Sequence, residues 1–108
     1  MLDRLLGESA SRILLFIHVS GDGYANEIAA NFGISLSAIQ KQLMHLEESG
    51  VLVSRLRGRV RLYQFNPRYP FLPELRKLFD RAIEYMPESD RKKYYEPRTR
   101  PRRAGKPL

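Results

Sequence analysis

Two glycines, Gly33 and Gly50, fence the stretch that most restricts how this chain can fold. Upstream of Gly33, the residues Ile28, Ala29 and Phe32 fall on one side of a short helix expected from Tyr24 to Phe32. Gly33 then offers the left-handed residue that helix C-termini often require. Two residues on, Ser35 is a good N-cap for a helix running to Ser49. In that helix Ile39, Leu43 and Leu46 lie at i, i+4 and i+7, with Leu36 one turn earlier. So short a connection makes the two helices cross, and they cross only where small or apolar side chains fill the angle. Ile28, Ala29, Ile39 and Leu43 meet that demand, which leaves the opposite face of the second helix pointing outward.

The flanks extend the pattern. Ser9 or Ser11 can cap a preceding helix whose Ile13, Phe16 and Ile17 recur at helical spacing, and Gly21-Asp22-Gly23 ends it. Downstream, Val51–Leu56 and Val60–Phe65 have strand chemistry on either side of Gly58, a hairpin signal. A loop of two or of three residues fits, and the choice shifts the cross-strand pairing by one. Alternation places Leu52, Leu56, Val60 and Leu62 on one face. Arg55, Arg57, Arg59 and Arg61 take the other parity, so a single tip carries four guanidinium groups. Asn66-Pro67 and Tyr69-Pro70 break the strand, and Pro73 fits the first turn of a last helix. There Leu75, Leu78, Phe79, Ala82, Ile83 and Met86 form a nearly unbroken stripe up to Pro87.

A chain of 108 residues holds one domain and leaves little for a second. Beyond a domain of residues 1–87, apolar side chains nearly vanish except Tyr94 and Tyr95. Residues 88–108 are therefore expected to be a basic, disordered tail. The absence of cysteine excludes disulfide staples, thiolate metal sites and a cysteine nucleophile. No apolar run approaches the ~18 residues of a spanning helix, and the N-terminus lacks a signal-peptide layout. The expectation is a soluble, cytoplasmic protein.

The net charge of +7 conceals a strongly uneven distribution. Residues 1–50 set three bases against six acids, and residues 74–90 three against five. Between them Arg55, Arg57, Arg59, Arg61 and Arg68 meet no acid at all. Residues 91–108 carry eight bases against Glu96. The tail alone equals the whole net charge, so the four-arginine hairpin is the stronger pointer to a polyanionic partner.

The order helix, helix, turn, helix, hairpin, helix reads as a mainly α (α+β) fold, a winged helix-turn-helix with a two-stranded wing and a C-terminal dimerisation-type helix. The stretches Ser11-Arg12-Ile13-Leu14, Asn26-Glu27-Ile28-Ala29, Ser35-Leu36-Ser37-Ala38-Ile39-Gln40-Lys41-Gln42-Leu43, Leu46-Glu47-Glu48-Ser49-Gly50 and Gly58-Arg59-Val60-Arg61-Leu62-Tyr63 resemble winged-helix regulators of the ArsR type. The resemblance covers roughly residues 4–86. It implies a dimeric, sequence-specific binder of double-stranded DNA, usually a repressor. The third helix would enter the major groove, and the hairpin would touch the flanking backbone or minor groove. This chain departs from its relatives at Asn26 and near Met44, where a basic residue is common, and at Leu36, where a polar one is. The family's thiolate metal-sensing motif cannot exist without cysteine.

The residues themselves fit that role in part. On a helical wheel Ser37, Lys41, Met44 and Glu48 lie opposite the apolar stripe, with Ala38, Gln40 and His45 to the sides. Ser35, Ser37 and the free N–H groups of the first turn suit a phosphate or a base edge. Gln40 can pair with adenine, Lys41 with guanine or phosphate, and Ala38 with a thymine methyl. A merely solvated helix face would hold the same residues. In the wing, Arg55, Arg57, Arg59 and Arg61, with Gly58 permitting close backbone approach, form a self-repelling cluster that phosphates would neutralise. Protection of a sheet edge is the competing use of such charge.

The last helix is too apolar to be covered by so small a domain. Leu75, Leu78, Phe79, Ala82, Ile83 and Met86 are therefore expected at a two-fold dimer interface, joined by Leu2, Leu5 and Leu6. No enzyme is expected. His18 sits in an apolar run, His45 is alone on a polar face, and no phosphate loop, cofactor motif or metal-ligand spacing occurs. The partners expected are double-stranded DNA and a second copy of the chain, with no membrane. The alternative is a winged-helix scaffold for protein or RNA, without sequence-specific DNA recognition. The tail, as an arm on nucleic acid, a partner segment or solubilising disorder, adds no sequence choice.

Overall fold

A computed structural model describes residues 2–96. Six helices and three strands follow in the order α1 (Leu2–Leu6), α2 (Glu8–Ser20), β1 (Gly23–Tyr24), α3 (Ala25–Phe32), α4 (Leu36–Glu48), β2 (Leu52–Arg57), β3 (Val60–Phe65), α5 (Leu72–Tyr85) and α6 (Glu88–Tyr94). The helix α2 is the central strut: Ile13 and Ile17 are fully buried, and α3, α4 and α5 all pack on it. Ile28, Ile39 and Leu43 are also fully buried, so the crossing of α3 and α4 is filled by the side chains that the spacing indicated. Gly33 ends α3 in the left-handed conformation (φ 66°, ψ 34°), and Ser35 caps α4 by accepting a hydrogen bond from the Ala38 N–H at 3.3 Å.

The start of α2 differs from expectation. Its N-cap is Gly7, without a side-chain cap. Ser11 instead lies inside the helix and is fully buried, its hydroxyl donating to Asp3 Oδ1 at 2.6 Å. That contact ties α1 to α2. Leu2 on α1 joins the core, whereas Leu5 stays 69% exposed.

The sheet is antiparallel, in the order β1-β3-β2. The two-residue β1 pairs Gly23 with Tyr63 and Tyr24 with Leu62. Arg57 pairs with Val60 across a two-residue turn, Gly58-Arg59, with Gly58 at φ +68°. This register overturns the expected faces. Directly opposed residues share a face, and Leu56 opposes Arg61 while Arg55 opposes Leu62. Leu52, Leu56, Arg61 and Phe65 therefore lie on one side, with Arg55, Arg57, Val60 and Leu62 on the other. The shared-parity reading fails because alternation fixes faces within a strand but not between strands.

The remaining elements close the molecule. Pro73 stands in the first turn of α5, and Phe79 from α5 stacks on Phe65 at 6.2 Å. The expected boundary at residue 87 shifts outward, because Glu88–Tyr94 is the helix α6 rather than the start of a disordered tail. The ring of Tyr94 stacks on Phe32 at 5.3 Å, the Asn31 side-chain amide donates to the Tyr94 carbonyl at 3.1 Å, and Tyr95 is buried in the core. Leu2 and Asp3 at one end and Tyr94 and Tyr95 at the other line a single cavity of about 240 Å³, together with Arg12 and Asp90. The expected tail residues 97–108 lie outside the described residues. Among the described residues, no helix is long and apolar enough to cross a membrane.

Candidate nucleic-acid interface

Capping by Ser35 fixes where α4 begins, and burial of Ile39 and Leu43 fixes which way it faces. The consequence is that Ser35, Ser37, Ala38, Gln40, Lys41 and His45 are all exposed, as the helical wheel requires. The hairpin leans over the same face. Between them runs a groove of about 630 Å³, with Asn26, Leu36, Gln40 and Met44 on the helix side and Leu56, Arg59, Arg61 and Tyr63 on the wing side. Sequence reasoning named Gln40, Arg59 and Arg61. It passed over Leu36, Met44, Leu56 and Asn26 as groove residues, although the departures at Asn26, Leu36 and Met44 were the available signal.

The wing arginines are all exposed, but they do not form one cluster. Arg61 lies on the groove side with Leu56, whereas Arg55 and Arg57 lie on the opposite face and Arg59 occupies the turn. The absence of a sequence-adjacent acid also proves misleading. The Ser54 hydroxyl donates to Glu47 Oε2 at 2.8 Å and accepts from Arg61 Nη1 at 3.1 Å. This chain of contacts braces the wing against the end of α4. Tyr63 lies beside it, and its hydroxyl pKa is raised, first by burial and next by the Glu47 carboxylate, with Arg61 opposing.

The expected dimer stripe on α5 divides. Phe79 is fully buried and Ala82 is 4% exposed, so both are taken up largely by the chain's own core. The wheel could not separate them from Leu75, Leu78, Ile83 and Met86, which are half-buried. A nearly apolar hollow of about 190 Å³ opens beside Leu78 and Arg81, bounded by Leu2, Ala82 and Tyr85. His18 is paired with Asp80 at 2.7 Å, and His45 is exposed on α4. Among the described residues, no three histidine or carboxylate side chains converge as a metal site.

No protein-family model and no curated protein matches the chain. Solved structures do. The crystal structure of a "Possible transcriptional regulator for arsenical resistance" is 36% identical over 82% of this chain and 88% of that one, with a TM-score of 0.53. ZitR of Lactococcus lactis, a mutant in apo form, aligns over 98% of this chain and 86% of its own with a TM-score of 0.56. At 19% identity it speaks for the fold alone. The first is described as a transcriptional regulator, not an enzyme, and is similar enough along its length to decide the family. The chain belongs to the ArsR-type family of winged helix-turn-helix transcriptional regulators.

Proposed function

We propose that the protein is a homodimeric repressor that binds double-stranded DNA sequence-specifically, with α4 in the major groove and the wing on the flanking backbone or minor groove. The observation that carries this reading is the groove itself. Leu36 in the first turn of the capped helix, the exposed Gln40, and Arg59 and Arg61 line one concave surface, and Lys41 is exposed on the same helix. Ser35, Ser37 and the first-turn N–H groups suit a phosphate, Gln40 suits adenine, Lys41 suits guanine or phosphate, and Ala38 suits a thymine methyl. His45 stands further along the same exposed face. Arg55 and Arg57, on the far side of the wing, extend the positive surface to a second stretch of backbone around Gly58.

Two copies related by a two-fold axis would present two such grooves to a palindromic site. The half-buried Leu75, Leu78, Ile83 and Met86 and the neighbouring apolar hollow supply the surface for that contact. A specific observation favours the second reading, a scaffold for protein or RNA: Lys41 is the sole lysine or arginine of α4 and shares the helix with Glu47 and Glu48.

Fluorescence anisotropy with short duplexes, structured RNA and a scrambled duplex at ~150 mM salt separates the two, since non-specific electrostatics are weak there. The Arg57→Ala and Arg59→Ala changes should weaken binding to all duplexes and lower the salt slope by about one each. Changing Gln40 or Lys41 to Ala should relax sequence preference at one base pair, by roughly 1–3 kcal/mol for a bidentate contact. Binding indifferent to all four changes overturns the reading, and sedimentation of the free chain tests the dimer.

A further inference from the structure

The face of α4 turned toward the wing carries a strip that phosphate binding does not use. Leu36, Gln40 and Met44 are spaced by four and so stack along one side of the helix. Leu36 is 42% and Met44 54% exposed, and across the groove Leu56 is 61% exposed. Val60, although on the other face of the wing, also lines the groove beside the turn and is 41% exposed. Four large apolar side chains each left 41–61% exposed around one groove form a patch of the kind that marks a binding surface. Phosphate oxygens offer them no partner. The major groove, however, displays one apolar group, the C5-methyl of thymine, and the adenine paired with it presents the donor and acceptor that a glutamine amide matches in a bidentate fashion.

The strip runs apolar, amide, apolar over about 12 Å of helix, which is the length of three to four base-pair steps at roughly 3.4 Å each. Arg59 and Arg61 outnumber Glu47 along the same groove, giving it the net positive edge that a phosphate backbone complements and an apolar peptide does not. We propose that Leu36 and Met44 are specificity-determining residues that read thymine methyls on either side of an adenine held by Gln40, so that each half-site has a core of A·T pairs. The inference rests on the reading that α4 enters the major groove.

The test uses the full chain. A duplex is first selected from a random pool at ~150 mM salt, and each thymine of the selected site is then replaced by deoxyuridine, which removes only the methyl. One or two positions per half-site should lose about three- to fivefold in affinity, as expected for one buried methyl. Leu36→Ala and Met44→Ala should each abolish the thymine–deoxyuridine difference at one position. Both side chains are exposed, and thermal unfolding checks that the variants fold as the parent does. If no duplex is selected above non-specific binding, the DNA-binding reading itself fails. If a site is selected but tolerates deoxyuridine everywhere within twofold, methyl reading is overturned while DNA binding stands. Methyl reading falls equally if the difference persists in both variants, or if both bind every duplex as the parent does, which assigns the strip to a protein partner.

Discussion

His18 Nε2 lies 2.7 Å from Asp80 Oδ1, joining α2 to α5 across 62 residues of sequence. The two ends of this contact are unequal. The His18 side chain is 11% exposed, its ring rests 5.7 Å from the Phe79 ring, and its Nδ1 is buried without a hydrogen-bond partner among the described residues, whereas Asp80 is 70% exposed. Substituting Asp80 by Asn should therefore cost less than about 1 kcal/mol, the range of exposed pairs. Substituting His18 by Ala removes ring packing as well and should cost about 2 kcal/mol. Substituting it by Leu keeps volume and deletes the orphaned nitrogen, so most of that loss should be recovered. Urea unfolding of the three variants measures the asymmetry.

Burial of Tyr95 pushes its hydroxyl pKa upward. Arg12 opposes that shift, while the Asp3 and Asp90 carboxylates and Tyr94 reinforce it. A phenol whose folded pKa exceeds its unfolded value of about 10 contributes stability that is fully present below that pH and lost as pH rises above it. Tyr63 acts in the same direction. Urea midpoints should accordingly fall above about pH 10, and Tyr95→Phe should flatten that alkaline limb. An unchanged slope in the variant would contradict the assignment.

Glu47 holds Ser54, which in turn holds Arg61. Replacing Glu47 by Gln keeps an acceptor for Ser54 and removes a negative charge from the wall of the groove. Stability should change by no more than about 0.5 kcal/mol. Duplex affinity should rise about two- to fivefold at low salt and converge on the parent value as screening increases. Anisotropy titrations at several salt concentrations provide the comparison.

The docking of α6 rests on Tyr94 against Phe32, on the Asn31 amide at the Tyr94 carbonyl and on the buried Tyr95 beside Phe32. Changing Tyr94 and Tyr95 together to Ala should release α6 with little effect on α2. Hydrogen exchange should then show amides in Glu88–Tyr94 losing protection while those around Ile13 and Ile17 keep theirs.

What the chain reveals before folding divides along physical lines. The α3–α4 crossing is legible because Ile28, Ile39 and Leu43 repeat with the period of a helix. The wing is legible as a hairpin, but its register depends on backbone pairing, and so the grouping of Arg61 with Leu56 was not. The strand β1 is too short to show any period. The helix α6 is polar around most of its surface, and only its tertiary contact with Phe32 identifies Tyr94 and Tyr95 as anchors rather than stray aromatics. Phe79 and Leu78 look alike on a wheel, and only the position of α2 separates the buried one from the half-buried one. Of the interface, the exposed polar residues of α4 could be read from Ser35 and the apolar stripe. The groove's apolar lining required the wing to be placed above it.

Because Leu2 and Asp3 share a cavity with Tyr94 and Tyr95, the described chain forms a nearly closed ring. Its connectivity is then separable from its architecture: a short peptide joining residues 96 and 2, with new ends cut in the exposed loop at Pro67-Arg68, would preserve the helix crossing, the wing and the core. Such a circular permutant would carry its termini on the side of α5, leaving the groove between α4 and the hairpin intact.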